Sequence, residues 1–393
     1  MNRKPLAIVG GVIANKYLNG GAVWTRLNWA LGMRKLGFDV LFMEQIYRDN
    51  CVDEQGRVTS FEDSVNLAYF RKVMQEFGLS DSSALIYEDG RKCHGKSLQE
   101  IGELACDADL LINITGHLHL PEIMESPVNK IYIDLDPGYT QLWHQAGMLG
   151  THFLAHDQFF TIAEAIGTSE CSIPVGNIPW QTTRQPVVLD LWPVSGRGDP
   201  ERFTTIASWR DDYGTLKHRG QRLGVKAHEF RRFIKFPDLV DQTCEIALNL
   251  YAEDQADLDL LHKHGWLVKD PALVVPDPGA FREYIQTSGA EFSVAKEMYT
   301  KTRGGWFSDR TVRYLATGKP ALVQDTGFSH SYPVGEGLLA FDTMQSALAG
   351  ARDISRNYAA HCRAARQLAE DFFDSDKVLG NLVERVGTIP QAY

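Results

Sequence analysis

The segment from residue 290 to residue 328 constrains the fold more than any other part of the sequence. Its pattern predicts a strand, a glycine-rich turn, a helix that begins at Ser308 and Asp309, a Gly-Lys-Pro stop and a second strand. This order of elements is the βαβ unit of a parallel sheet. Gly304 and Gly305 let a ligand approach the turn closely, and the free amides at the start of the helix suit a diphosphate. An ordinary capped helix of an α/β protein explains the same residues equally well.

The same segment resembles part of a known family. Residues 304–327 resemble the nucleotide-binding part of the C-terminal domain of GT-B glycosyltransferases, in particular the glycosyltransferase-4-like group. In that group a Gly-aromatic turn starts a helix, which is followed by an Ala-x-Gly-Lys-Pro-Val stop and a strand ending in Asp-x-Gly. The counterparts here are Gly305–Ser308, Ala316–Ala321 and Asp325–Gly327. The resemblance implies that the turn and the helix start bind the nucleotide of a sugar donor, through Gly304, Gly305, Trp306, Phe307 and Ser308.

One position departs from the family pattern. The family usually places a Glu early in this helix to hold the ribose hydroxyls, and Arg313 stands there in this chain. Asp309 lies four residues earlier, on the same helix face, and is therefore a candidate for the missing carboxylate. A simple pairing of Asp309 with Arg313 is an equally good interpretation.

Length and charge set further limits. A chain of 393 residues is too long for one small core, and two or three domains are expected. The net charge of -10 argues against a dedicated nucleic-acid binder, so we expect no nucleic acid as a partner. Six cysteines lie far apart without a CxxC pair, which is typical of free thiols in a reducing compartment. No apolar run reaches the roughly 18 to 20 residues that a membrane span needs, so we predict no transmembrane segment and a cytoplasmic location.

The beginning of the chain predicts a second βαβ unit. Residues 6–13 favour a buried strand over a signal peptide, residues 22–36 have helical spacing, and residues 40–43 form the next strand. Glu44 ends that strand, where a dehydrogenase holds a ribose, but the GxGxxG fingerprint of such enzymes is missing. The resemblance to GT-B enzymes implies that Gly20 and Gly21 face the cleft and contact the donor, whereas a tight strand-to-helix turn also explains them.

Two strand ends in the first half carry candidate catalytic residues. His117 follows the strand 110–114, and an imidazole there is suited to contact the donor sugar or to accept the acceptor's proton. The His-x-His pattern is also compatible with a metal, and a plain polar loop with neither role. Asp136 follows the strand 130–135 in an Asp-x-Asp pattern, which is the metal site of the different GT-A class. The Asp-Pro-Gly sequence favours a turn, and Asp136 stays a candidate on the acceptor side.

A proline- and glycine-rich connector at residues 173–200 separates the two halves. We predict an acceptor-binding domain at 1–195, a nucleotide-sugar-binding domain at 196–370 and, at 371–393, a helix that packs back on the first domain.

The second half carries further donor candidates. The resemblance implies that Arg210 and Lys217 bind the donor diphosphate, and Ser293 on a strand offers a hydroxyl to the nucleotide. The basic segment 217–235 is suited to a diphosphate or to an anionic or membrane-bound acceptor, although a solvated face explains most of its charges.

We therefore expect an α/β protein with two doubly wound Rossmann-like domains facing a cleft, the GT-B arrangement. On the resemblance, the chain is a glycosyltransferase that moves a sugar from a nucleotide-diphosphate donor to a small-molecule, glycan or lipid-linked acceptor. The resemblance also implies that no metal and no cofactor take part. The alternatives are a sugar-nucleotide epimerase of the same fold, an NAD(P)-dependent dehydrogenase and a non-catalytic nucleotide-sugar-binding protein.

Overall fold

The structure is a computed structural model that describes residues 3–126, 128–211 and 213–387. The first lobe is built on one sheet, whose strands are β1 (Leu6–Gly10), β2 (Asp39–Ile46), β3 (Ser83–Tyr87), β4 (Lys92–Gly95), β5 (Leu110–Ile114), β6 (Asn129–Asp134), β7 (Gln158–Thr161) and β8 (Trp180–Thr182). Their spatial order is β4-β3-β2-β1-β5-β6-β7-β8. Only β4 runs antiparallel to its neighbour among these strands. The order reverses between β1 and β5, which is where open α/β sheets bind ligands.

The second lobe is built on a parallel sheet. In chain order, the strands of this half are β9 (Arg202–Ser208), β10 (Leu216–His218), β11 (Gln221–Leu223), β12 (Thr243–Asn249), β13 (Leu267–Lys269), β14 (Ala290–Ser293), β15 (Ala321–Gln324) and β16 (Leu338–Phe341). The sheet has the order β13-β12-β9-β14-β15-β16, and β10 and β11 form a separate two-stranded ribbon. Here the order reverses between β9 and β14. The prediction of two doubly wound Rossmann-like sheets is therefore confirmed.

Helices cover both sheets. They are α1 (Gly20–Lys35), α2 (Val65–Glu76), α3 (Leu98–Asp107), α4 (Pro121–Met124), α5 (Tyr139–Gln145), α6 (Lys226–Phe230), α7 (Gln255–Lys263), α8 (Pro271–Val274), α9 (Pro278–Gln286), α10 (Glu297–Thr302), α11 (Asp309–Ala316), α12 (Met344–Arg356), α13 (Tyr358–Phe372) and α14 (Ser375–Val386). Polar side chains cap the first turns of several helices. Asn19 accepts a hydrogen bond from the amide of Ala22, and Ser308 accepts one from the amide of Arg310. Among the described helices, none is long and apolar enough to cross a membrane.

The last helix, α14, returns to the first lobe. Its apolar residues, Leu379 among them, belong to the same buried cluster as those of β1 and α1. Gly32 of α1 makes the contact close, since a Cβ at this position would lie 2.4 Å from Cδ1 of Leu379. The domain limits stay a prediction, and residues 388–393 of the predicted terminal helix lie outside the described residues.

One short helix of the structure was not predicted. The segment 290–328 contains an additional short helix, α10, between β14 and the glycine-rich turn, and Arg303 ends it with a left-handed φ of 51°. In the first lobe, residues 163–168 form turns that pack on Gly304 and Gly305 of the second lobe. Contacts between distant segments decide both cases.

Candidate functional site

Arg310 organises the strand ends of the second lobe. Its guanidinium donates to Glu291 Oε1 at 2.5 Å, to the carbonyl oxygen of Ile206 at 2.5 Å and to Ser293 Oγ at 2.6 Å. These partners lie on β14 and β9, the two strands at which the sheet order reverses. Glu291 is completely buried. Its charge therefore fixes the guanidinium at the carboxyl edge of the sheet.

Lys226 lies beside Arg310, at the first residue of α6. Its ammonium donates a hydrogen bond to the carbonyl oxygen of Val294, directly after β14. Burial, followed by the positive charges of Arg310 and Lys296, lowers the pKa of Lys226 well below its ordinary value. Among the described residues, no carboxylate contacts Lys226 within ion-pair distance. Arg310 and Lys296 have the carboxylate partners Glu291 and Asp211, whereas Lys226 has none in the described chain, so an anion bound beside Lys226 would favour its charged form.

Lys296 connects this cationic group to the first lobe. Its ammonium lies 2.8 Å from Asp211 Oδ2 and 3.7 Å from Asp136 Oδ1. The rings of Tyr139, Tyr213 and Tyr299 surround the same ammonium at 5.0, 5.0 and 5.5 Å, which adds cation–π attraction. Asp136 and Tyr139 belong to the first lobe. The cluster therefore joins the two lobes where their strand ends face each other.

Asp136, one of the two catalytic candidates, lies in this contact between the lobes. It accepts a hydrogen bond from the hydroxyl of Tyr299 at 2.9 Å, and the hydroxyl of Tyr213 is 3.4 Å away. Trp306 stacks on Tyr299 with ring centroids 4.2 Å apart and reaches the carbonyl oxygen of Leu135 at 3.4 Å. Trp306 thus contacts the first lobe next to Asp136.

His117, the other catalytic candidate, follows β5 on the first lobe. His117 is exposed, and desolvation by the neighbouring chain together with the charges of Arg26 and Lys16 lowers its pKa to about 4. The imidazole is therefore neutral at pH 7 and can accept a proton. The negative charge of Asp136 acts in the opposite direction and offsets part of this decrease in the pKa of His117. The structure thus places both candidates on the same face, and their catalytic roles stay predictions.

Asp309 pairs with Arg313, as one of the two interpretations predicts. Its Oδ2 accepts from Arg313 Nη1 at 2.6 Å and from the hydroxyl of Thr25 at 2.5 Å. Burial opposes ionisation, but Arg313 and Thr25 hold the pKa of Asp309 below its ordinary value. Thr25 lies on α1, so this ion pair also joins the two lobes. A contact of Asp309 with a ribose stays a prediction.

The four candidate glycines pack the lobes together. A Cβ on Gly20 would lie 2.1 Å from the carbonyl oxygen of Asp277, and one on Gly21 would lie 2.8 Å from the ring of Phe281. The carbonyl oxygen of Gly304 accepts from the amide of Ala165 at 3.0 Å. Gly305 has a φ of 75°, and its amide donates to the carbonyl oxygen of Thr326 at 2.9 Å. Close approach is therefore the reason for these glycines, but the approaching atoms in this structure belong to the protein.

The other donor candidates lie in different surroundings. Arg210 is exposed and pairs with Asp254 at 2.6 Å, and Ser293 is buried and holds Arg310. Phe307 lies in an aromatic core, where its ring stacks on Phe373 at 5.3 Å. Ser308 is the buried cap of α11.

Lys217 is the candidate that the structure separates from the cationic group. It is exposed on the β10–β11 ribbon, whereas Lys226 occupies the buried position next to Arg310. A bound diphosphate at the strand ends would therefore be nearer to Lys226.

Two further residues were not predicted from the sequence. Lys226 lies within the basic segment for which a diphosphate was one interpretation, and its position between the apolar residues Val225 and Ala227 distinguishes it from its exposed neighbours. Arg310 is the first residue that was not predicted, and Arg26 on α1 is the second. Its buried Nε has no hydrogen-bond partner in the described part of the chain, and Asp309 and Asp136 are among the charges that act on it. A cation among the mostly buried residues in the first half of α1 was the available signal.

The two carboxylates that suggested a dehydrogenase or a metal site have structural roles in this fold. Glu44 accepts three backbone hydrogen bonds, from Ile13, Ala14 and Asn15, at 2.7 to 2.8 Å. These bonds occupy both of its oxygens, and no ribose contact is needed to explain it. Asp134 is buried and bonds Thr140, Gln141 and Thr161 at 2.7 Å, so it supports the turn. Within the described ranges, no group of three or more His, Cys, Asp or Glu side chains is placed to hold a metal ion. Metal independence stays a prediction.

A separate cavity of about 400 Å³ lies between β8 and the helices α13 and α14. Its main cation, Arg184, is held by Glu164 at 2.5 Å. At the strand ends, Lys226 has no carboxylate partner among the described residues, and we therefore place the candidate site between the lobes.

No protein-family model and no curated protein matches the sequence. Solved structures do match the fold. An alpha-glucosyltransferase in complex with UDP has a TM-score of 0.60 at 11% identity, with 98% of this chain and 100% of that chain covered. HepE of Anabaena in complex with UDP-glucose has a TM-score of 0.58 at 11% identity, with the same coverage. This chain therefore has the fold of these GT-B glycosyltransferases. The narrower glycosyltransferase-4-like assignment stays a prediction.

One predicted absence is wrong. We expected no nucleic acid as a partner because of the net charge of -10. The alpha-glucosyltransferase that shares this fold is also found in complex with UDP-glucose and DNA, at a TM-score of 0.59 and 11% identity over 98% of this chain and 99% of that chain. Net charge describes the whole surface, whereas nucleic acid is bound by a local patch. The exclusion of nucleic acid is therefore withdrawn.

Proposed function

We propose that the chain is a glycosyltransferase that uses a nucleoside-diphosphate sugar of the UDP-sugar class. The observation that supports this most strongly is the group of Lys226, Arg310 and Lys296 at the strand ends where the second sheet reverses its order. A leaving diphosphate gains negative charge as the bond to the sugar breaks. Fixed cations in a partly buried site stabilise that charge without rearranging. The fold shared with UDP- and UDP-glucose-bound transferases agrees with this donor class.

The first lobe holds the acceptor in this proposal. The oxygen of an acceptor hydroxyl forms a bond to the anomeric carbon of the donor, and the bond from that carbon to the diphosphate oxygen breaks. The neutral imidazole of His117 receives the hydroxyl proton. Asp136, oriented by Tyr299 and close to Lys296, binds the sugar or the acceptor. Trp306 and the tyrosines around Lys296 restrict water between the lobes, which favours transfer over hydrolysis.

Ligand binding tests the donor class directly. We would measure the binding of UDP, GDP, dTDP and NAD(P) by calorimetry and thermal unfolding, with and without magnesium. UDP at about 100 times its dissociation constant should stabilise the protein by about 2.7 kcal/mol. In Lys226→Met, UDP affinity should fall by about 10- to 100-fold, because a charged hydrogen bond contributes about 1.5 to 3 kcal/mol. Lys235→Met is the matched control, since Lys235 is exposed elsewhere on the same lobe.

Several outcomes would contradict the proposal. Stabilisation by NAD(P) alone would indicate a dehydrogenase, and equal UDP affinity in Lys226→Met and Lys235→Met would remove the cationic group from the donor site. The products formed from the donor alone distinguish the remaining alternatives. An epimerase converts the sugar without an acceptor, and a non-catalytic binding protein leaves it unchanged.

A further inference from the structure

The structure divides the basic segment of the sequence into two parts. Lys226 is buried at the strand ends, Arg231 pairs with Asp257 at 2.6 Å, and Arg232 pairs with Glu229 at 2.5 Å. The other cations of the segment, apart from exposed Lys235, lie on the β10–β11 ribbon and are all exposed: Lys217, Arg219 and Arg222. The ribbon strands themselves contain no acidic residue. Lys217 and Arg219 on the ribbon, and Lys235 outside it, are therefore the exposed cations of the segment without a carboxylate partner among the described residues.

The geometry of the ribbon concentrates this charge. Lys217 lies directly opposite Arg222 in the antiparallel register, an arrangement of like charges that is unfavourable for stability. Arg219 and Gly220 form the two-residue turn with φ values of 49° and 76°. A left-handed conformation costs a residue other than glycine about 1 to 2 kcal/mol. The two-residue turn itself requires positive φ values, so the pairing of the like charges of Lys217 and Arg222 is the feature that the fold does not explain.

Few carboxylates outside the ribbon offset its positive charge. Arg222 lies 3.6 Å from Glu297, but Glu297 also binds Lys301 at 2.8 Å, so one carboxylate faces two cations. Lys217 and Arg219 have no ion-pair partner in the described part of the chain.

The base of the ribbon lies at the edge of the candidate site. Leu216 and Leu223 pack in the same apolar cluster as Tyr139 of the first lobe and Met298 and Tyr299 of the second. Tyr299 is the residue that holds Asp136. The exposed end of the ribbon therefore projects from the rim of the space between the lobes, beside the proposed acceptor side.

We propose that the β10–β11 ribbon binds the phosphodiester backbone of a nucleic acid and presents it to the site between the lobes. This inference rests on the proposed function and names the class of molecule that carries the acceptor hydroxyl. Guanidinium groups bind phosphate oxygens in a bidentate manner, and a two-stranded ribbon fits the major groove of a duplex. A lipid surface fits less well, because the exposed ribbon positions are Lys217, Arg219, Gly220, Gln221 and Arg222, without an apolar side chain to enter the membrane.

The test compares two triple variants. We would measure binding of the full chain to a fluorescent duplex of about 20 base pairs over a range of salt concentrations, since three phosphate contacts give a slope of about -2.7 in log K against log salt. Lys217→Gln/Arg219→Gln/Arg222→Gln should lose at least about tenfold in affinity and most of that slope. The control Lys235→Gln/Lys269→Gln/Arg352→Gln removes the same charge from three exposed positions elsewhere and should bind like the wild type.

Binding to vesicles of phosphatidylcholine and phosphatidylserine tests the alternative that the ribbon binds a lipid surface. The proposal is overturned if the wild type does not bind the duplex at low salt, if both triple variants lose equal affinity, or if the ribbon variant loses affinity for vesicles only. UDP binding keeps this test separate from the donor proposal. The ribbon variant should bind UDP like the wild type, so a failure to bind the duplex and a failure to bind UDP are distinguishable.

Discussion

The ion pair between Asp309 and Arg313 makes a quantitative prediction about the contact between the lobes. Arg313 is only 2% exposed, and Asp309 is its partner at 2.6 Å. In Asp309→Ala, the guanidinium keeps a 3.3 Å contact with the hydroxyl of Thr25, and its buried Nε still has no partner within the described chain. The substitution therefore leaves a charge inside the protein without an ion pair.

Removing one member of a buried ion pair costs about 3 to 5 kcal/mol. The carboxylate of Asp309 is 27% exposed, and water can therefore reach part of the space that it leaves. We expect a loss near the lower limit, about 3 kcal/mol in the free energy of unfolding. Thr25→Val removes one hydrogen bond to the same carboxylate and the 3.3 Å contact with Arg313, and it should cost about 2 kcal/mol.

Urea unfolding followed by tryptophan fluorescence measures these differences. The double variant Asp309→Ala/Arg313→Met removes both charges, and it should recover more than half of the loss because no unpaired charge remains. The reasoning is refuted if Asp309→Ala costs less than about 1 kcal/mol, or if the double variant is less stable than Asp309→Ala. UDP binding to Asp309→Asn separates pairing from ribose binding. We expect a change of less than about threefold, or about 0.7 kcal/mol, if pairing with Arg313 is the role of Asp309.

Two other predictions concern residues of the same site. Gly20→Ala should destabilise the protein by about 1 to 3 kcal/mol, because the added methyl group overlaps the carbonyl oxygen of Asp277 at 2.1 Å. Gly279→Ala is the control, because the nearest atom to its added methyl group is 3.4 Å away. Equal losses of stability in the two variants would contradict the packing role of Gly20. His117 should titrate near pH 4 instead of 6.5. Between these values the unfolded chain binds more protons at this residue, so the stability that depends on His117 rises with pH. NMR titration of the wild type and His117→Gln identifies the signal, and a midpoint near 6.5 would be inconsistent with the described surroundings.

The sequence predicts the fold better than the site. Strand β5 was predicted with the bounds that the structure has, since buried parallel strands are short apolar runs between turn residues. Helix α10 was not predicted, because its six residues are too few to show helical periodicity. Its contacts also come from another segment: Gly224 accepts a backbone hydrogen bond from the helix, and Arg222 lies near Glu297. The site depends on such pairings throughout. Arg310 is a plain helix residue in the sequence, and only the meeting of β9 with β14 shows that it holds both strand ends.

The buried position of Lys226 has a consequence for the thermodynamics of ligand binding. In the free protein, burial and the neighbouring cations favour the loss of its proton. A diphosphate placed beside it favours the charged form, so that binding raises the pKa of Lys226 and takes a proton from the solvent. The heat of UDP binding should then vary with the ionisation enthalpy of the buffer, and affinity should decrease as pH rises. The protein would in this way exchange protons with its surroundings each time a donor binds and its nucleotide leaves.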